Sequence, residues 1–106
     1  MDSHFLKDHS VHASRLLKVL SNEKRFEIAC ILRSGEQSVG ELEKAIGLSQ
    51  SALSQHLARL RRDNIVKTRR SAQTIYYSLA CEKTSQLLEA LCEILSCESA
   101  QDHDAA

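Results

Sequence analysis

The sequence contains no proline and no tryptophan, and only three glycines among its 106 residues. Chains that fold as many short strands need proline and glycine at their turns. Their scarcity, beside plentiful Leu, Ala, Glu, Lys, Arg and Ser, points to a mostly helical protein. No apolar run approaches the ~18 residues of a membrane span. The first residues, with Asp2, Lys7 and Asp8, lack the apolar stretch of a secretory signal. A cytoplasmic location without membrane association is the expectation. There is no phosphate-binding glycine loop, no C-x-x-C pair and no nucleophile set beside a base, so no enzyme is expected and no cofactor is called for. Net charge is also missing: 14 basic and 14 acidic side chains cancel, and overall charge gives no argument for a nucleic-acid partner.

The distribution of charge does give one. Arg59, Arg61, Arg62, Lys67, Arg69 and Arg70 crowd a stretch interrupted by a single acid, Asp63, whereas Glu89, Glu93, Glu98, Asp102 and Asp104 make the C-terminal end acidic. In a reducing compartment Cys30, Cys81, Cys92 and Cys97 stay as thiols, which leaves core packing, metal binding and thiol sensing open. A hydrophobic content of 42% allows one domain with a modest core that a second subunit would help complete. Residues 1–10 are expected to form a flexible polar arm, 11–98 the folded domain and 99–106 a flexible acidic tail.

Along the chain, Ala13, Leu16, Leu17 and Leu20 lie at helical spacing. Asn22 and Glu23 suit a second helix start, carrying Phe26, Ile28, Ala29, Ile31 and Leu32 until Gly35. Ser38 and Glu41 form a capping box that opens a short third helix, which ends at Gly47. Ser49 then caps a fourth helix whose Leu53, Leu57 and Leu60 mark an inner face. Ile65 to Arg70 and Gln73 to Leu79 are expected strands joined across Ser71-Ala72, the second alternating Ile75, Tyr77 and Leu79 with Thr74, Tyr76 and Ser78. A last helix carries Leu87, Leu88, Leu91, Ile94 and Leu95, a stripe too wide for a lone helix on so small a domain. Part of it is expected to meet a second subunit.

Two helices joined through Gly47-Leu48 and followed by a basic hairpin have the order of a winged helix-turn-helix, ααααββα. The fourth helix, Ser49 to Arg62, then lies in the major groove of double-stranded DNA, with the hairpin wing on phosphates. Ser49, Gln50, Ser51, Ser54, Gln55, His56 and Arg59 are the candidate reading residues, because Gln pairs bidentately with adenine, Arg with guanine, and Ser with several partners. Arg69, Arg70 and Gln73 are the candidate wing contacts. Arg61, Arg62 and Lys67 are equally consistent with a solvated face.

From Leu16 to about Leu79, through "LSNEKRFEIACIL" and "SVGELEKAIGLSQSALSQHLARLRRDNIVKTRRSAQTIYYSL", the chain resembles the ArsR/SmtB family of winged-helix repressors. It is most similar there to the HlyU/BigR/SqrR reactive-sulfur-sensing group. The resemblance implies a homodimer joined through its first and last helices, binding an imperfect inverted-repeat operator. Leu16, Leu17, Leu20, Leu87, Leu88, Leu91, Ile94 and Leu95 are the expected interface. It further implies a dithiol sensor of reactive sulfur species or oxidants, made of Cys30 and Cys97. Cys92 and Cys97 stand about 140° apart on a helix, so one of them faces Cys30; the expectation is Cys97. Cys81 and Cys92 are left as packing residues.

The family's main metal sites are poorly supplied, since the third helix has no cysteine pair and the last no matching histidine. His4, Asp8, His9 and His12 offer another ligand set, against which stands the plainer reading of a polar arm. A metal-responsive repressor, and a regulator without a sensor that displaces another repressor, are the alternatives.

Overall fold

A computed structural model describes the backbone of residues 3–105 and the side chains of residues 3–96. The order is α1 (Ser3–Leu20), α2 (Glu23–Ser34), β1 (Gln37–Ser38), α3 (Val39–Ile46), α4 (Gln50–Arg62), β2 (Val66–Ser71), β3 (Thr74–Leu79) and α5 (Glu82–Ala105).

Local chemistry sets most of these boundaries. Asn22 Oδ1 accepts the Arg25 N–H at 3.0 Å and starts α2. The Ser38–Glu41 box is closed in both directions, each bond at 3.2 Å. Gly47 leaves α3 at φ 76°, ψ 21°, a left-handed conformation that costs glycine little. The Ser49 hydroxyl accepts the Ala52 N–H at 3.3 Å, and α4 begins at the next residue, Gln50.

Every helix contributes to one core: Val19 from α1, Ile28 from α2, Leu42 from α3, Leu53 and Leu60 from α4, and Leu88 from α5 are fully buried. Leu53, Leu57 and Leu60 all point inward, as their spacing requires, and this fixes the rotation of α4 about its axis.

The structure departs from expectation in four places. First, the helix expected to begin near residue 11 begins at Ser3, so the stretch taken for a loose arm is helical. It contains no residue that breaks a helix, and Phe5 stacks on His9 one turn later at 4.3 Å. Second, α5 continues as a helix to Ala105 through the expected tail. Third, Gln37 and Ser38 form a strand, pairing antiparallel with Tyr77 and Tyr76 and giving the sheet order β1-β3-β2. Fourth, β3 is thereby flanked on both edges, and residues 75–79 are all part-buried instead of alternating. The hairpin turns at Ala72-Gln73, one residue later than expected, with Ser71 opposite Thr74.

Candidate nucleic-acid interface

The rotation of α4 decides which side chains reach a ligand. Successive residues advance by about 100°, so the line opposite the buried leucines runs through Ser51, Gln55, Ala58 and Arg62, and all four except the small Ala58 carry hydrogen-bonding groups. Ser49, Gln50, Ser51, Ser54 and Gln55 are exposed, as expected. Arg62, which the sequence leaves undecided, joins the outward line; the same angular count finds it. Ser54, Ala58, Arg61 and Arg62 line a depression of about 480 Å³ with Val39, Leu57 and Tyr77, between α4, the start of α3 and β3.

Two expected members of this set are not presented outward. His56 is half-buried; desolvation first, and the Arg25 guanidinium on α2 second, push its pKa down. It is therefore a neutral imidazole at neutral pH, on the flank that meets α2. Arg59 folds along the helix, its Nε donating to Asp63 Oδ2 at 2.8 Å. Arg25 is tied into the same corner by donating from Nε to the Val19 carbonyl at 2.7 Å.

The two wing arginines are in different states. Arg69 is gripped by Glu36, with Nε–Oε2 at 3.1 Å and Nη2–Oε1 at 2.7 Å, and its guanidinium lies 4.6 Å from the centre of the Tyr76 ring. That bidentate bond lowers the Glu36 pKa and raises that of Arg69. Among the described residues Arg70 forms no ion pair, and Arg70 and Gln73 are both exposed.

Cys30 on α2 and Cys92 on α5 are both part-buried free thiols, near enough for Cys92 to act on the Cys30 thiol electrostatically. Burial, and then Cys92, push the Cys30 thiol up to about 11, against a smaller opposing pull from Arg33. Cys81 is exposed at the start of α5. The Cys97 side chain lies outside the described residues.

The apolar stripe also divides. Leu88 is fully buried in the protomer's own core and has no surface left for a second copy, which corrects its place in the expected interface, while Leu20 keeps 8% exposure. Leu17, Ile94 and Leu95 remain open at 58%, 55% and 49%. Leu16, Leu87 and Leu91 are half-buried, and Phe5, Leu6 and Val11 extend the exposed apolar surface along α1. Among the described residues no group of three His, Cys, Asp or Glu is placed to hold a metal ion, the α1 set included. No described helix is long and apolar enough to cross a membrane.

Residues 22–68 match the bacterial regulatory protein arsR family. The chain is 49% identical over 86 residues to the transcriptional activator HlyU of Vibrio cholerae, spanning 81% of this chain and 80% of that protein. The solved structure of reduced HlyU superposes with a TM-score of 0.80 at 47% identity, covering 84% of this chain and 94% of that one. The transcriptional repressor BigR of Xylella fastidiosa gives a TM-score of 0.82 at 42% identity, covering 89% and 96%. A homodimeric winged helix-turn-helix DNA-binding domain from Mycobacterium bovis gives 0.74 at 28%, covering 92% and 90%. The chain belongs to the ArsR family: it is a DNA-binding winged-helix transcription regulator and not an enzyme.

Proposed function

We propose that this regulator acts as a homodimer on an inverted-repeat operator, binds it in the reduced state, and lets go when Cys30 becomes bridged to a thiol of α5 by reactive sulfur or another oxidant. The resemblance assigns that partner to Cys97. The observation that carries the reading is the packing of Cys30 against α5, because α5 also bears the open Ile94 and Leu95. A covalent link there changes how two protomers meet, and with it the spacing of their two α4 helices. The homodimeric relative supports the dimer, and the relative solved in a named reduced form supports a redox-sensitive thiol.

The test is fluorescence anisotropy of labelled promoter DNA, titrated with reduced protein and with polysulfide-treated protein, chelator present throughout. Coupling of ~1–3 kcal/mol corresponds to a loss of roughly 5- to 150-fold in affinity. Cys30→Ser is expected to bind DNA normally and to lose that response; a variant that still responds in full rejects the sensor.

The wing offers a second measurement. The salt dependence of binding reports the number of phosphates neutralised, about 0.9 of a logarithmic unit for each. Arg70→Ala is expected to reduce the slope by about that amount between 50 and 200 mM salt. Arg69→Ala is expected to reduce it less, since Glu36 already holds that charge. Equal reductions would show that the Glu36 grip opens on DNA.

A further inference from the structure

We propose that the start of α5 is a binding site for a small oxyanion, held between α5, α1 and the end of α4. The site is independent of the thiol switch. Arg15 of α1, Arg62 and Asp63 at the end of α4, and Cys81, Lys83 and Thr84 at the start of α5 border a cavity of about 170 Å³. That is below the size of sites for drug-sized ligands and suits an ion of a few atoms.

Two independent observations point to an occupant. The first is Thr84. It is 4% exposed, it lines this cavity, and its hydroxyl makes no hydrogen bond with any described residue. No fully enclosed side-chain oxygen or nitrogen among the described residues lacks a partner, so the Thr84 hydroxyl keeps its opening toward the cavity. A hydroxyl withdrawn from bulk water and left without a protein partner calls for an acceptor there. The second is the helix terminus. Asn22, Ser38 and Ser49 each cap the helix that follows with a side-chain oxygen. Cys81 holds the same place before α5, and no described side chain accepts from the first N–H groups of this helix. Those N–H groups, at the positive end of the helix dipole, favour an anion.

The free charges around the cavity are positive. Arg15, Arg62 and Lys83 belong to none of the ion pairs among the described residues. Asp63 is the carboxylate that borders the cavity, and Arg59 already holds it at 2.8 Å. Glu82, the first residue of α5, borders a different depression with Arg33, Glu36 and Lys67. An oxyanion here accepts from the Thr84 hydroxyl and the α5 N–H groups, and the surrounding cations offset its charge. The site is also clear of the expected dimer face. Leu17 stands about 160° from Arg15 around α1. Ile94 lies ten residues beyond Thr84, about 15 Å along the helix.

Arg62 also stands on the outward line of α4, so a DNA phosphate is a second source of the same chemistry, and the experiment separates the two. Inorganic phosphate is titrated calorimetrically into the full chain, reduced and free of DNA, at an ionic strength held constant with sodium chloride. One phosphate per protomer is expected, with a Kd on the order of 1 mM. Thr84→Val and Arg15→Gln are each expected to weaken it about tenfold or more, with circular dichroism checked on the same samples. Thr84 is buried; should its variant fail to fold, Arg15, which is exposed, carries the comparison. Operator binding by Arg15→Gln is expected to keep the parental salt slope. No saturable phosphate heat up to about 20 mM, or binding that both variants retain at parental strength, overturns the proposal. A salt slope lowered by about 0.9 in Arg15→Gln, with no phosphate bound by the free protein, assigns the cavity to the DNA backbone and likewise overturns it.

Discussion

Leu53→Ala is expected to destabilise the folded protein by about 3 kcal/mol, a loss of roughly 15 °C in melting temperature. Leu53 is fully buried and belongs to the α4 stripe that meets the core. Truncation removes buried methyl and methylene groups and leaves a cavity that helices capped at both ends close poorly. The loss reaches function by a second route, because the same stripe sets the direction of Ser51, Gln55 and Arg62. Urea unfolding at one fixed protein concentration is the measurement, since dimer formation makes apparent stability depend on concentration. Ser54→Ala, one residue further on and exposed, is expected to stay within about 0.5 kcal/mol of the parent. A Leu53→Ala loss below about 1 kcal/mol would mean that α4 is not held by this stripe.

Leu17→Glu is expected to leave the protomer folded and to abolish the dimer, with operator affinity falling at least about 100-fold. Leu17 is largely exposed in the single chain, so its own core does not need it. At a two-fold interface the substitution enters twice, and each copy places a carboxylate where an apolar surface is to be covered, at a cost of several kcal/mol. Losing the dimer separates two half-sites that were bound as one, which removes the gain of linked binding. Sedimentation at micromolar concentration with circular dichroism on the same sample distinguishes monomer from unfolded chain. A folded dimer at parental affinity would remove α1 from the seam.

Much of the DNA-reading unit was legible because it rests on short-range rules. The Ser38–Glu41 box, the Gly47 exit, the Ser49 cap and the leucine spacing of α4 each involve residues within about four positions of one another, and the structure shows all of them. What was missed depends on partners far apart in the chain. β1 has only two polar residues and exists because β3 lies beside it 38 to 40 positions later. His56 has donors and acceptors suited to DNA, and only the approach of Arg25 from α2 shows that it meets another helix. The helical period sets Cys92 and Cys97 about 140° apart, but it carries no information on how α5 is turned against α2. That rotation places Cys92 on Cys30. Leu88 was misassigned for a related reason: an apolar stripe does not say which of its members the protomer consumes and which it leaves to a partner.

The Glu36–Arg69 bond has a mechanical consequence. Helix α2, which carries Cys30, ends at Ser34, and after the single residue Gly35 the chain reaches Glu36, whose carboxylate is fastened to the wing. The next two residues are sewn to β3, and the one after them begins α3. Four residues thus join the end of the thiol-bearing helix to both the hairpin and the helix that precedes α4. A tilt of α2 therefore does not bear on α3 and α4 alone; it pulls on the hairpin as well, as two arms on one axle. Removing the Glu36 carboxylate would leave the hairpin tied to this linker by the β1–β3 pairing alone, a looser coupling than the one that reaches α4 through the backbone.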